Sequence, residues 1–262
     1  MLRLVTSNQR GGDAKTTTTV TLARYLADKG KKVLIIDTDP QGSVAVILGL
    51  RSAAQDRSLH NFLIKDYNFS DCIVKVHDNI DLLPSNRQTV ETEGTLMGHT
   101  ARELTFKNVL PRVEDGYQAV LIDVAPSISL LQTCAMLYAE RILIPASMDP
   151  LSLQGVVANI ETAKILQKLF NIPIRPVAIM PVKVDRRYGL TTTILEALSG
   201  ISKTVGIPLL PGIRTDGSAM KAASAKQFLV DYDKNCKCLL DYTAAFDELS
   251  LLLKDELDES AS

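Results

Sequence analysis

The chain has 262 residues, 46% hydrophobic and 23% charged, with a formal charge of −1. That balance excludes a disordered polymer, and the near-zero charge excludes a uniformly basic nucleic-acid coat, so any DNA-binding surface has to be a local patch. The length suits one large α/β domain or two small ones, with a core big enough to need no disulfide or metal support.

Taken from the N-terminus, Leu2–Ser7 is a short apolar run and predicts a strand. A glycine-bearing loop leads into a predicted helix over Lys15–Lys29, stopped by Gly30. Val33–Asp37 is a second apolar run bounded by turn residues. Ile80–Leu83, Ala119–Asp123, Arg141–Pro145 and Arg175–Pro181 continue the strands, and Ile207–Leu210 reads as the last. Helical patterns fill Arg102–Val113, Ser129–Ala139, Leu153–Phe170 and Thr191–Val205, followed by a helical C-terminal region. Apolar strands without polar interruption are buried on both faces, and their alternation with helices implies parallel crossovers. The expected fold is an α/β doubly wound, mostly parallel sheet whose ligand sits at the carboxyl ends of the strands. The expected layout is one domain over residues 1–254 and an acidic, flexible tail over 255–262.

The residues after the first strand run Asn8, Gln9, Arg10, Gly11, Gly12, Asp13, Ala14, Lys15, Thr16, Thr17. A glycine-rich turn opening a helix points backbone N–H groups at phosphate oxygens, and the helix dipole adds favourable charge there. Lys15 suits the β- and γ-phosphates, and the Thr16 hydroxyl suits Mg²⁺. The ordinary P-loop pattern G-x-x-x-x-G-K-[ST] is not met, because Ala14 stands where its second glycine belongs. Two further strand ends carry acids: Asp37 and Asp39 after the second run, and Asp123 after Ala119–Asp123.

The runs Asn8–Thr19, Leu34–Gly42 and Tyr117–Ser127 resemble those of the ParA/MinD family, deviant-Walker P-loop NTPases whose phosphate loop reads K-G-G-x-x-K-[ST]. The ParA partition branch is the nearer match, and the run Asp37 to Gly42 is the most specific part of it. The resemblance extends through Leu82–Ser85, Pro181–Arg187 and Ile213–Asp216. It implies an ATPase that takes ATP and Mg²⁺ and hydrolyses slowly until a partner stimulates it. Gly11, Gly12, Asp13, Ala14, Lys15, Thr16 and Thr17 then match the phosphate-binding loop, and Pro181 with Val182 the segment near the adenine. Thr16, Asp37 and Asp123 match the acids and hydroxyl around the metal. Asp39 matches the acid that positions the attacking water.

The family's signature lysine, which reaches the nucleotide of the second subunit, is replaced here by Arg10. Arginine keeps the charge and binds phosphate bidentately, but with a different reach. Either Arg10 acts in trans, as an arginine finger does, or another basic residue takes over. Asp13 is also unusual, since a carboxylate near polyphosphate is repelled unless it faces solvent or a cation, or pairs with an arginine across a dimer axis. Branches lacking the signature lysine include carboxysome-positioning, McdA-like members.

Residues 183–226 hold seven basic groups against three acids, a local +4, whereas 231–262 is a local −6. Charge alone reads as a solvated face. In the ParA branch, however, basic residues near the positions of Arg187 and Arg214 hold DNA in the ATP-bound dimer. By that resemblance Lys183, Arg186, Arg187, Arg214, Lys221 and Lys226 form a candidate surface for nonspecific duplex DNA. Apart from Tyr188 beside Arg187, no aromatic residue interleaves with these charges, which favours phosphate contacts over base reading.

Cys72, Cys134, Cys236 and Cys238 are scattered, and with no signal peptide before them they suit a reducing cytoplasm. Cys236-x-Cys238 has the spacing of half a metal site, but no Cys or His pair completes it nearby, so both read as structural. His60, His77 and His99 have no ligand spacing. No apolar run reaches the ~18 residues of a membrane span. The amphipathic stretch Phe246–Leu257 carries four acids and reads as a packed terminal helix, so no membrane partner is expected.

The resemblance implies a homodimer with ATP at its interface, associated with the nucleoid, that positions or segregates cargo with a ParB-like or adaptor protein. The cargo is a plasmid, a chromosome or a body such as the carboxysome. The alternative is a metabolic or scaffold ATPase of the same superfamily, such as an iron–sulfur carrier, which needs cysteines poised at the dimer interface. A membrane-bound division-site selector is disfavoured by the acidic C-terminal stretch.

Overall fold

The computed structural model describes residues 1–50 and 53–258. Its strands are β1 (Leu2–Thr6), β2 (Val33–Asp37), β3 (Val74–His77), β4 (Ile80–Leu83), β5 (Ala119–Asp123), β6 (Arg141–Ser147) and β7 (Arg175–Val182). They form one sheet in the order β3-β4-β2-β5-β1-β6-β7. All neighbours run parallel except β3, which returns antiparallel on β4. β1 lies between β5 and β6. The loop after β1 therefore emerges between the loops after β5 and β6.

Alternate residues of each strand feed opposite faces, as a pleated strand requires. Val33 and Ile35 of β2, with Ala119 and Leu121 of β5, pack into one apolar layer. Leu34, Ile36, Val120 and Ile122 pack into the other. The first layer is covered by the helix Lys15–Asp28 and by Tyr242, Phe246 and Leu249 of the helix Lys237–Leu252. The second is covered by the helices Leu130–Ala139 and Pro150–Phe170, with Ile194 and Leu198 of Gly189–Val205. This is the doubly wound sheet expected from the apolar runs.

Three local expectations change. Ile207–Leu210 makes no strand; its contact with β7 is a single bridge between Ile179 and Leu209. Pro208 and Pro211 flank that bridge, and a proline has no N–H to extend a ladder. The expected helix Arg102–Val113 is three short pieces, Arg102–Leu104, Thr105–Val109 and Leu110–Arg112, with Pro111 in the first turn of the last. The stretch expected as a loose acidic tail begins as the short helix Lys254–Asp258. Glu256 accepts hydrogen bonds from Arg141 (2.7 Å) and Arg175 (3.2 Å) at the starts of β6 and β7. Residues 259–262 lie outside the described residues. Among the described residues no helix is long and apolar enough to cross a membrane.

The C-terminal helix is tied to the core through Phe246, which is fully buried and stacks near Tyr25 (5.4 Å between centroids) and Tyr242 (5.3 Å). Phe246→Ala removes a large buried ring and leaves a cavity. A loss of about 3–5 kcal/mol is expected, read as a fall in the urea midpoint at unchanged slope.

Candidate nucleotide site

The loop Ser7–Ala14 joins β1 to the helix Lys15–Asp28, and its conformation is set by two residues in the left-handed region. Gly12 has φ +86°. Ala14, at the helix N-cap, has φ 55°. The glycine that the ordinary pattern places there would be unstrained, whereas a Cβ in that region costs about 1–2 kcal/mol. The chain therefore keeps the loop shape at the expense of local strain.

Behind the loop, parallel pairing sets Asp37 directly opposite Asp123 at the carboxyl ends of β2 and β5. Both are buried. Thr16 Oγ1 donates to one Asp123 oxygen at 2.7 Å and Thr19 Oγ1 to the other at 3.3 Å. Burial pushes the Asp123 carboxyl up to about 7, opposed by the Thr16 hydroxyl and the Lys15 ammonium. Burial, and then the neighbouring Asp123, hold Asp37 well above the usual carboxylate range. Asp37, expected beside the metal, is fully buried. Its oxygens accept the amides of Asp39 (2.9 Å) and Val44 (3.1 Å), so it organises the turn after β2. In that turn Gly42 has φ +61°, and a Cβ there would lie 2.7 Å from the Ser85 carbonyl oxygen. Asp39 is half-buried and uses one oxygen for the Gln41 amide (2.9 Å).

Lys15 is buried, and its ammonium donates to the Arg10 carbonyl at 2.9 Å. Burial lowers its pKa, against the pull of Asp123, Asp13 and Asp39. Asp13 turns away from the loop's concave side. It is fully buried and accepts hydrogen bonds from the hydroxyls of Ser147 and Ser152 (2.9 Å for the latter). Of the surroundings expected for it, solvent, a cation or a cross-axis arginine, Asp13 avoids solvent and feels the Lys15 ammonium, while its hydrogen bonds tie it internally to the end of β6. Asp149 caps the helix Pro150–Phe170 by accepting the Ser152 amide at 3.0 Å, and its other oxygen lies 2.7 Å from the Ser147 hydroxyl, which has one proton to share between Asp149 and Asp13. Asn8 donates to the Pro145 carbonyl at 2.8 Å. It approaches Gly155 so closely that a Cβ there would stand 2.0 Å from its Oδ1. Sequence reasoning missed Ser147, Asp149, Ser152 and Gly155, since nothing local marks them as partners of a loop more than 130 residues earlier.

Arg10 lies 3.7 Å from Asp149, and both side chains are over a third exposed. Such a pair is worth about 0–1 kcal/mol and leaves the guanidinium able to move. Pro181 and Val182 are buried at the end of β7. The next residue, Lys183, has φ 55°, and its Nζ would be 4.0 Å from a Cβ on Gly12. Its ammonium is thus at the phosphate loop. Arg186, Arg187 and Arg214 line one concavity together with Lys237, which the sequence reading did not include. Arg187 is chelated by Asp185 and Arg214 by Asp241. Lys226 donates to the Val46 carbonyl at 3.0 Å, and Lys221 is exposed on the helix Ser218–Ala225.

A left-handed-glycine loop, a buried lysine and a threonine–aspartate pair at the carboxyl end of a parallel sheet define a P-loop NTPase. A family model described as an AAA domain matches residues 2–175. The sporulation initiation inhibitor protein Soj of Bacillus subtilis is 31% identical over 191 residues, covering 72% of this chain and 76% of that protein. The chromosome-partitioning ATPase Soj of Treponema pallidum is 30% identical over 198 residues, covering 75% and 77%. The structure of a Cyanothece McdA variant in complex with ATP superposes with a TM-score of 0.85 at 19% identity, over 97% of this chain and 96% of that one. Cobyrinic acid a,c-diamide synthase from Mycobacterium smegmatis with bound ADP and magnesium gives 0.75 at 27% identity, over 91% and 98%. The chain belongs to the ParA/MinD family of P-loop ATPases, in its ParA branch.

The raised Asp123 carboxyl has a consequence for stability. Its native pKa of about 7 exceeds the ordinary value near 4, so between these pH values the native state binds a proton that the unfolded chain does not. Stability of the nucleotide-free protein therefore falls as pH rises from about 4 to 7. Asp123→Asn, which cannot ionise, is expected to melt several degrees above wild type at pH 8, with the gap closing toward pH 4. Thermal melts across that range without nucleotide or Mg²⁺ check it; an equal gap at both ends would contradict the assignment.

Proposed function

We propose that this chain binds ATP with Mg²⁺ between two copies of itself and that the resulting dimer binds duplex DNA without sequence preference. Release follows hydrolysis stimulated by a ParB-like or adaptor protein, and the cycle positions or segregates cargo in the nucleoid-bearing cytoplasm. The observation that carries this reading is the grouping of Lys15, Thr16 and Asp123 beneath a loop whose Asp13 is tied away inside. With that acid removed from the concave side, the loop offers amides and one ammonium to an anion.

The residues fit the nucleotide. Gly11 has open space where a Cβ would be. Mg²⁺-ATP, when bound, supplies the phosphoanhydride bond to be cleaved and the divalent charge beside it. Lys15 would balance phosphate charge, the Thr16 hydroxyl would hold the cation directly and Asp123 would hold it through water. Asp39 has one oxygen without a hydrogen bond among the described residues, suited to orienting an attacking water. Arg10 is free to cross to the second copy's phosphates, and Lys183 supports the subunit's own nucleotide from the end of β7. Ile128 (74% exposed) stands on the loop after β5 and Leu151 (53%) in the first turn of the helix after β6, and a partner copy over the site would cover them.

An iron–sulfur role lacks support. Cys134 is fully buried in the helix Leu130–Ala139, and burial pushes its thiol up to about 12. Among the described residues Cys134 belongs to no group of three potential metal ligands.

Sedimentation with ATP, with ADP and without nucleotide tests the assembly. A monomer that dimerises only with Mg²⁺-ATP is expected, with Asp39→Ala trapping the dimer and Arg10→Ala weakening dimerisation or turnover more than nucleotide affinity. An unchanged mass in ATP would remove the sandwich reading.

The DNA and nucleotide roles of the basic residues separate in a second experiment. Arg187→Ala with Arg214→Ala should lower affinity for every duplex alike and reduce the salt slope by about 0.9 per lost phosphate contact. Lys183→Ala should instead weaken nucleotide binding, leaving the salt slope of the dimer nearly unchanged. Equal DNA binding with and without ATP would contradict the switch.

A further inference from the structure

We propose that Asp216, Cys236 and Cys238 form a zinc site that staples the start of the helix Lys237–Leu252 to the segment carrying Arg214. Spacing along the sequence dismissed Cys236-x-Cys238, because no Cys or His pair follows it. The fold supplies the missing ligand from a different segment. A carboxylate oxygen of Asp216 and the two sulfurs all lie within 4.8 Å of one another.

The geometry favours a tetrahedral ion. The two Sγ atoms are 3.6 Å apart. Zn–S bonds of about 2.3 Å at the tetrahedral angle separate two sulfurs by roughly 3.8 Å, so the thiols already stand close to one edge of such a site. A disulfide would need them at about 2.0 Å. Both thiols are buried and Asp216 is half-buried, which leaves the carboxylate as the solvent-side ligand and the fourth position to water.

The ligands are held by the backbone around them. The Ser218 amide donates to one Asp216 oxygen at 2.9 Å, and the Lys237 amide to the other at 2.9 Å. The second oxygen also takes the Cys238 amide at 3.4 Å, so the oxygen facing Ser218 is the one with room for an ion, and amides in this position fix the direction of a metal-binding carboxylate. Binding breaks two S–H bonds, forms two S–Zn bonds and sends two protons to the buffer.

The site bears on the surface proposed for DNA, and this link rests on that reading. Arg214 joins the same helix through its backbone amide (2.9 Å) and its guanidinium (2.7 and 2.8 Å), all to Asp241. An ion at Asp216 and the two cysteines ties the same two segments a second time. It fixes Arg214 and Lys237 relative to each other without touching the nucleotide loop.

Cobalt titration of the full, reduced, metal-free chain tests the site directly. One Co²⁺ per chain is expected, with a thiolate-to-metal charge-transfer band and tetrahedral visible bands that Zn²⁺ abolishes. Cobalt at the oxygen ligands of the phosphate loop gives no thiolate band, so the two sites are told apart. Cys236→Ser with Cys238→Ser should lose the band while keeping the far-ultraviolet dichroism and nucleotide affinity. Asp216→Asn should keep a thiolate signal but bind roughly tenfold or more weakly. Should the double variant misfold, alkylation of the wild type decides: Zn²⁺ should protect Cys236 and Cys238. A reduced wild type with no thiolate band, a band that survives the double variant, or alkylation indifferent to zinc would each overturn the site. These last results are those expected of cysteines acting only as small apolar side chains. Zinc uptake with unchanged DNA affinity would support the metal site and overturn only its link to the DNA surface.

Discussion

Parallel pairing of β2 with β5 brings two acids, Asp37 and Asp123, side by side at the buried end of the sheet. Two carboxylates out of water and next to each other cannot both stay charged without compensation. The structure around them follows from that problem. Asp37 is given two backbone amides, which forces the tight turn through Gly42. Asp123 is given two threonine hydroxyls and a nearby lysine, all from the first turns of the helix Lys15–Asp28. The compensation of Asp123 is incomplete, and an incompletely satisfied buried acid beside a lysine is what a divalent cation and a polyphosphate would balance.

A second buried polar group holds the loop from the other side. Asp13, Ser147, Ser152, Asp149 and Asn8 tie the loop after β1 to the end of β6 and the cap of the next helix. The bonds from Asp13 and Asn8 in this set span two elements, so the loop cannot shift without loosening the helix Pro150–Phe170. That rigidity explains how Ala14 is kept at a left-handed φ without a glycine. It also explains why Asp13 is tolerated near a phosphate site: its charge is spent on two hydroxyls below the loop.

The outer surface obeys different rules. Arg187 and Arg214 each sit in a fork with an acid, so the concavity they line is less positive than a count of charges along residues 183–226 suggests. Exposed pairs of this kind hold little energy and exchange readily for phosphate oxygens at low salt. Their acids lower the net field of the concavity. In the function proposed above, ATP-dependent pairing of two copies and DNA affinity would then be a single physical question.

Features carried by consecutive residues were decided by the sequence alone. The phosphate loop, the acids closing β2 and β5, the alternation of apolar runs with helices and the family itself rest on residues within about ten positions of one another. A strand's burial and a loop's glycines are written in its own side chains. What the tertiary structure decided involves partners far apart: Asp13 with Ser147 and Ser152, Lys183 with Gly12, and Asp216 with Cys236 and Cys238. The short edge strand β3 and the failed strand at Ile207–Leu210 belong here too, since one exists through its pairing with β4 and the other is held to one bridge between two prolines. Such contacts depend on which strand ends lie side by side, and the crossover order of the sheet sets that, with no trace in any local window of residues.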